Sequence, residues 1–452
     1  MTLKILIIGA GVCGPAFATL LRRADPSLSK YEITIVERAE KLRETGLQID
    51  LRSHGIPVAR KMGLLEAIRH RAVPEQGVAF VDSTGKPYAK FGKNDSGHGR
   101  QAFSSEYEIM RGDLVDVFYR ASLGLSPEGE GEDEAPAVSG VVTNGNVRYE
   151  FGTTITSLSQ HSAEKVSATF STGRTDEYDL VVGADGQSSR TRRMLLGSQE
   201  ASDACFKSLD LLSALYLVPR SAQDNAWMNV HLMSGRRGLF TRSADTKAAT
   251  TQVYMAVSTS RSEDKYGVCT AVREKSPAEQ RAVFARAYAD QHGWRTDEFV
   301  RALTRETPLE DFYATEIGQV RCARLAVGRV VLLGDAGYCP SPITGMGTTL
   351  SLVGAYILAG ELARHGSSDG VPAALQSYAR GVRPYVDEAQ RLPPGLPGLL
   401  YAETSWGLWI LTTVLSVIAK SRIADVLVRL MPETSSRDQI PEYPELNLGN
   451  EK

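Results

Sequence analysis

Residues 3–8 read LKILII and run directly into Gly9-Ala10-Gly11-Val12-Cys13-Gly14, and this junction constrains the chain more than any other feature. A continuous apolar run of strand length suits a parallel sheet buried on both faces. Residues 16–23 read as a helix, whose N-terminus would turn unpaired N–H groups toward a phosphate. In such a loop Gly9 permits the tight turn, Gly11 lets a pyrophosphate approach the backbone, and Gly14 lets helix and strand pack closely. A bare GxGxxG is a weak signal; the strand before it and the helix after it give it weight. Residues 32–36 (EITIV) complete a β-α-β unit ending at Glu37, the spacing at which a carboxylate accepts the ribose hydroxyls of an adenosine. Arg38 stands beside it, either as a salt-bridge partner or as a second contact to the same nucleotide.

Composition narrows the class. A chain of 452 residues can bury more than one core, and 51 basic against 53 acidic residues leave a net charge of −2. So balanced a surface carries no electrostatic footprint for nucleic acid. Five scattered cysteines without CxxC spacing offer neither a disulfide framework nor a zinc site, and point to a reducing, cytoplasmic setting. The histidines show no HxxxH pair, so no metal site is expected. The apolar start enters the glycine loop without a small-residue cleavage site, which argues against a signal peptide.

Periodicity places a helix over 56–70, short turning strands over 76–103 and a helix over 110–124. Ser126–Pro136 is acidic and lacks large apolar residues, the composition of a solvated loop. Strand patterns resume at 147–158, 166–172 and 178–184. Alternating runs within 206–260, such as LLSALYLV and TTQVYMAVS, fit an antiparallel sheet with one covered face. A helical stretch follows from Pro277 to Arg305, and a buried strand at 329–333 leads into a long apolar helix, 344–364.

The expected fold is therefore α/β, a Rossmann-like nucleotide-binding domain with an inserted, mostly antiparallel β-sheet substrate domain and a C-terminal helical extension. The first would span 1–75, 103–192 and 318–390, the second 76–102 and 193–317, and the third 391–452. Within the third, residues 406–419 are strongly apolar between Glu403 and Lys420. A spanning helix needs roughly twenty such residues, so this one is expected to be buried or to lie on a membrane surface.

Three further segments carry chemistry. Asp179-Leu-Val-Val-Gly183-Ala184-Asp185-Gly186 continues to Ser189 and Arg192; Arg329-Val-Val-Leu-Leu-Gly334-Asp335-Ala336 continues to Pro342, Gly345, Gly347 and Thr348; and Met110-Arg111-Gly-Asp-Leu114 opens a helix. With the glycine loop they resemble the single-component FAD-dependent aromatic hydroxylases, the group A flavin monooxygenases, over about residues 3–385. The resemblance implies that Asp185 holds the turn lying near FAD and the pyridine nucleotide, and that Arg111 reaches the phosphate or ribityl region. It further implies that Asp335 accepts a hydrogen bond from the ribityl chain, while backbone N–H groups of Pro342–Gly347 face the pyrimidine edge of the flavin. Reduced flavin carries negative charge near N1, which a helix N-terminus stabilises.

Some positions depart from the family pattern. Gly337-Tyr338 replaces Ala-His, Thr348 stands where Asn or Ala is common, and Gly354 where an acid often sits. The stretch Arg43–Leu51 is closer to the tetracycline-destroying branch and related natural-product hydroxylases, which implies that Gly46 and Gln48 lie beside the ribityl chain or ring.

The implied reaction takes NADPH or NADH and O2 to hydroxylate or epoxidise an electron-rich, bulky small molecule through a flavin C4a-hydroperoxide. An oxidase or reductase without oxygen insertion is the alternative, and a non-catalytic FAD-binding protein a more distant one. Trp406-Gly-Leu-Trp409-Ile lacks the proline and the location of the halogenase motif, which argues against halogenation. For a group that deprotonates or polarises substrate, the alternating sheet offers Tyr216, His231, Arg236, Arg242 and Tyr254. Tyr216 is the first candidate, on a strand expected to face the flavin.

Overall fold

The computed structural model describes residues 2–43, 46–92, 106–128, 138–243, 249–305, 312–421 and 440–448. The acidic loop expected at 126–136 lies outside the described residues from 129 onward.

The alternation of Leu3–Ile8 sets the first core. This strand sits at the centre of a seven-stranded sheet, parallel to Tyr31–Glu37 on one side and to Leu180–Gly183 on the other. Val147–Phe151 and Val330–Leu332 extend the parallel set outward. Ile5 and Ile7 point to one face and join Phe17, Leu20 and Phe118 under the helices Cys13–Ala24, Arg111–Leu123, Gly347–His365 and Val371–Ala389. Leu6 and Ile8 point to the other and pack on Val166, Ala168 and Phe170 of a small sheet. A strand buried on both faces needs no polar alternation, which is why LKILII reads as one apolar run.

The second sheet also has seven strands, in the order Tyr313–Val320, Phe206–Pro219, Thr250–Ser258, Arg237–Arg242, Trp227–Met233, Gly77–Val81 and Pro87–Gly92. It is antiparallel except where Trp227–Met233 runs parallel to Gly77–Val81. One face carries Leu212, Ala214, Tyr216, Val253 and Met255 against the helices Val268–Glu274, Pro277–Ala287 and Thr296–Leu303. The opposite face carries Phe240, Arg242, Gln252, Tyr254 and Ala256 and turns toward the ribbon formed by Gln48–Leu51 and Tyr107–Met110.

Three expected elements are divided. The helix over 56–70 is two, Gly55–Lys61 and Leu65–His70, because Gly63 between them takes a left-handed φ of 58°. The stretch 277–305 breaks after Ala287, where Trp294 donates its backbone N–H to Ser83 at 2.7 Å and tertiary docking overrides helix propensity. The strand pattern 147–158 turns at Gly152, so its first half joins the parallel sheet and Ile155–Ser159 the small one. The apolar C-terminal segment forms a helix, Ser405–Lys420, and among the described residues no helix is long and apolar enough to cross a membrane.

Candidate active site

The glycine loop is shaped by the segment that follows Gly183. Gly9 has φ 114°, and a Cβ there would stand 2.5 Å from the Ala184 carbonyl oxygen, so only glycine lets the two turns touch. A Cβ on Gly14 would strike the Gly9 carbonyl oxygen. A Cβ on Gly11 would stand 3.3 Å from the Arg111 guanidinium. Glu37 ends its strand half-buried and accepts N–H bonds from Ala10 and Ala39, each at 3.0 Å. Its carboxylate is thereby fixed at the mouth of the loop, with Arg38 exposed beside it.

Arg111 is the point at which the separated motifs meet. Its backbone N–H bonds Leu47 at 3.0 Å, and its side chain runs over Gly46, whose φ of 146° and missing Cβ make room for it. Burial and the nearby Arg43 cation hold the Arg111 guanidinium below its usual range, while Glu37, Tyr313 and Asp335 oppose them. Asp335 follows Gly334 (φ 66°), where a side chain would meet Cys13 Sγ at 3.0 Å. Burial pushes the Asp335 carboxyl up, against the Cys339 thiol and Arg111. The chain then turns through Pro342–Thr344 and Gly345 (φ 63°) into the helix at Gly347, whose missing Cβ would lie 4.0 Å from Asp335 Oδ1. Thr348 is buried in the first turn. Ser341 holds φ 85° in a buried setting, a conformation costly for a side-chain-bearing residue and found where a site demands it.

Asp185 acts on its own turn. It accepts from Ser189 Oγ (2.5 Å), Arg190 N (2.9 Å) and Thr191 N (3.0 Å), capping the helix Arg190–Leu196. Buried Arg192 then donates to Ser202 Oγ at 3.1 Å and to the Ala336 carbonyl at 2.9 Å, tying this motif to Gly334-Asp335.

Two of the expected site residues direct their side chains to other partners. Tyr216 does not face the motifs: it is buried on the helix side of the sheet, and its hydroxyl donates to the Phe299 carbonyl at 3.0 Å. Strand parity decides this, since a one-residue shift moves a side chain to the other face. Gln48 spends its side-chain amide on Glu75 and Glu108, both at 3.1 Å, and is turned into a buried acid cluster. Of the remaining sheet candidates, His231 faces Val81 and Trp294, and Arg236 pairs with Glu263 and Glu403 at the surface. Arg242 is half-buried between Glu75 (2.6 Å) and Glu108 (3.1 Å), whose charges hold its guanidinium above the usual range against desolvation. Tyr254 lies on the face toward the motifs, its hydroxyl donating to Gln252 Oε1 at 2.8 Å, and Gln252 Oε1 also accepts the Gln48 N–H at 3.2 Å. Burial raises the Tyr254 hydroxyl above its ordinary range, against the nearby Arg242 cation.

Sequence reasoning missed Glu75, Glu108 and Arg52. The two acids lie in unrelated segments, and no local pattern announces their convergence on Arg242. Arg52 exchanges bonds with Thr349 and places its guanidinium 3.3 Å from the position a Gly345 side chain would take.

A parallel sheet with a glycine loop, a carboxylate ending the second strand and a half-buried arginine set between the glycine loop and Gly46 defines a dinucleotide-cofactor enzyme. The model for the FAD binding domain family matches residues 2–392. The chain belongs to this family and is a flavin-dependent monooxygenase. It is 40% identical to an FAD-dependent monooxygenase of Sarocladium schorii over 99% of this chain and 100% of that one. It is 32% identical to a flavin-dependent monooxygenase of a Phoma species, over 98% of each. Among solved structures, the tetracycline destructase Tet(55) superposes with a TM-score of 0.70 at 27% identity, covering 98% of this chain and 99% of that one.

Proposed function

We propose that the protein holds FAD along the path from Glu37 past Arg111 to Gly347, and uses NADPH or NADH with O2 to hydroxylate or epoxidise an electron-rich, bulky natural-product-type substrate. The observation that carries this reading is Arg111: a half-buried cation with a second cation nearby, facing the bare backbone of Gly11 and Gly46. A diphosphate suits that setting, since it would offset both charges where a side chain is missing.

On this reading Glu37 and Arg38 take the adenosine end, and Gly9, Gly11 and Gly14 admit the diphosphate to the helix N-terminus. Asp335 accepts from a ribityl hydroxyl, and Asp185 keeps the neighbouring turn in place. The Pro342–Thr348 turn, opening the 19-residue helix Gly347–His365, sets N–H groups and a positive helix end against the pyrimidine edge. Bound flavin supplies the redox chemistry and the activation of oxygen. The sheet face carrying Phe240, Gln252 and Tyr254 closes the space opposite that turn, orients the substrate and keeps water out. Tyr254, rather than Tyr216, is the hydroxyl placed to meet it. The division into a discontinuous cofactor domain, an inserted sheet domain and a C-terminal region follows from the same reading.

The test is purification followed by absorbance. Bound yellow flavin that NADPH or NADH bleaches and O2 restores is the expected result, with Arg111→Met lowering flavin affinity by at least about tenfold, or about 1.4 kcal/mol. A tetracycline and simpler phenols serve as probe substrates under isotope-labelled O2. One labelled oxygen atom in a product supports the monooxygenase, whereas flavin turnover yielding only hydrogen peroxide across the panel favours the oxidase alternative. A colourless protein with no affinity for FAD overturns the reading.

A further inference from the structure

The helix Ser405–Lys420 has two apolar faces, and among the described residues only one is packed. Leu408, Leu411 and Leu415 pack on Val78, Phe80 and Val230 of the second sheet. On the other side Trp406, Trp409, Val414 and Val417 are 72%, 62%, 47% and 54% exposed. With Ile410, 37% exposed, Trp406, Val414 and Val417 recur at the three- and four-residue spacing of one helix stripe, and Trp409 lies at its edge. The sequence from Ser405 to Lys420 contains no acidic residue, and its one charge is Lys420 in the last turn.

We propose that this stripe docks the protein on a lipid bilayer surface bearing anionic headgroups. A contiguous apolar stripe holding two exposed tryptophans is suited to an interaction surface, and its chemistry selects the occupant. Tryptophans favour the headgroup boundary, where an apolar ring can be buried with its N–H still solvated. An acid-free stripe ended by a lysine meets no repulsion from anionic lipid, and Lys420 can extend its ammonium to the headgroups. A second copy of the chain fits less well. Sixteen residues make a helix about 24 Å long, so a stripe about 10 Å wide offers on the order of 240 Å². A stable protein interface buries roughly 800 Å² per partner. Spanning is ruled out by the same length, short of the roughly 30 Å of a hydrocarbon core.

The inner face gives the docking a purpose. The helix covers the end of the sheet face to which Phe240 belongs, and Phe240 pairs across strands with Tyr254. A helix lying in the headgroup layer would set that face beside the bilayer, where a lipophilic substrate is concentrated. The docking itself does not depend on the flavin reading, and its test needs no turnover.

The full chain is floated with vesicles of phosphatidylcholine, with and without phosphatidylserine. It should rise with both, more completely with the anionic mixture. Trp406→Glu with Val414→Glu should reduce the bound fraction about tenfold, Trp406→Ser alone should reduce it less, and Trp406→Phe with Val414→Leu should retain it. Thermal melting of each variant checks that the fold is kept. The inference is overturned if the parent stays at the bottom of both gradients, or if the glutamate variant floats as the parent does. It is likewise overturned in favour of self-association if light scattering finds a dimer that the glutamates dissolve.

Discussion

The hydroxyl of Tyr338 fills the place that a side chain on Gly354 would need, and a 2.9 Å hydroxyl–hydroxyl bond to Tyr378 fixes it there. Tyr378 in turn donates to the Leu332 carbonyl at 2.9 Å, so Tyr338 is the donor of the pair. Two departures from the family pattern, a tyrosine for histidine and a glycine for an acid, are thereby one feature: the larger ring at 338 occupies the space vacated at 354.

The pair should behave as coupled. Gly354→Ala overpacks the site and should cost about 2–3 kcal/mol, and Tyr338→Phe about 1 kcal/mol for the lost hydrogen bond. The double variant should lose less than the sum, because removing the hydroxyl makes room for the methyl. Denaturant unfolding of the four proteins in a double-mutant cycle measures this coupling; strict additivity would refute it.

Arg192 links two motifs through the Ala336 carbonyl. Arg192→Ala leaves that buried acceptor and Ser202 without their donor and should destabilise the fold by roughly 2–3 kcal/mol. Because Ala336 adjoins Asp335, flavin release should also quicken. Flavin fluorescence during dilution, compared with thermal melting, follows both effects.

Tyr216 and Tyr254 should separate cleanly. Tyr216→Phe removes a buried hydrogen bond to Phe299 and should lower stability by about 1 kcal/mol, leaving the flavin spectrum and the peroxide formed per NADPH unchanged. Tyr254→Phe should alter the ratio of peroxide to oxygenated product. A Tyr216 variant that uncouples the reaction would return that residue to the active face.

Acid should weaken the helix side of the second sheet through Asp290. Arg237, buried beneath it, donates to both carboxylate oxygens and holds its pKa at about 2. The depressed carboxylate stabilises the fold above its unfolded value near 4, and that contribution is lost as pH falls from about 4 to about 2. The Asp290 side chain is largely exposed, so added salt should shrink the effect. Melting temperature against pH should therefore fall less steeply in this window for Asp290→Asn than for the parent.

Local order determined what the sequence could reveal. Leu3–Ile8, the glycines at 9, 11 and 14, and Gly334-Asp335 each encode a short-range requirement: a strand buried on both faces, a turn without Cβ, a helix start. Such requirements leave their mark within ten residues. The β-α-β unit and the parallel sheet were legible for that reason. Facing and convergence were not. Tyr216 and Tyr254 look alike in sequence, and only strand pairing sends one into the helix-side core and the other toward the motifs. The Glu75–Glu108–Arg242 cluster joins three distant segments, and the exposure of Trp406 depends on which stripe of its helix the sheet claims. Contacts between segments far apart in the chain are set by the whole packing, and no local pattern records them.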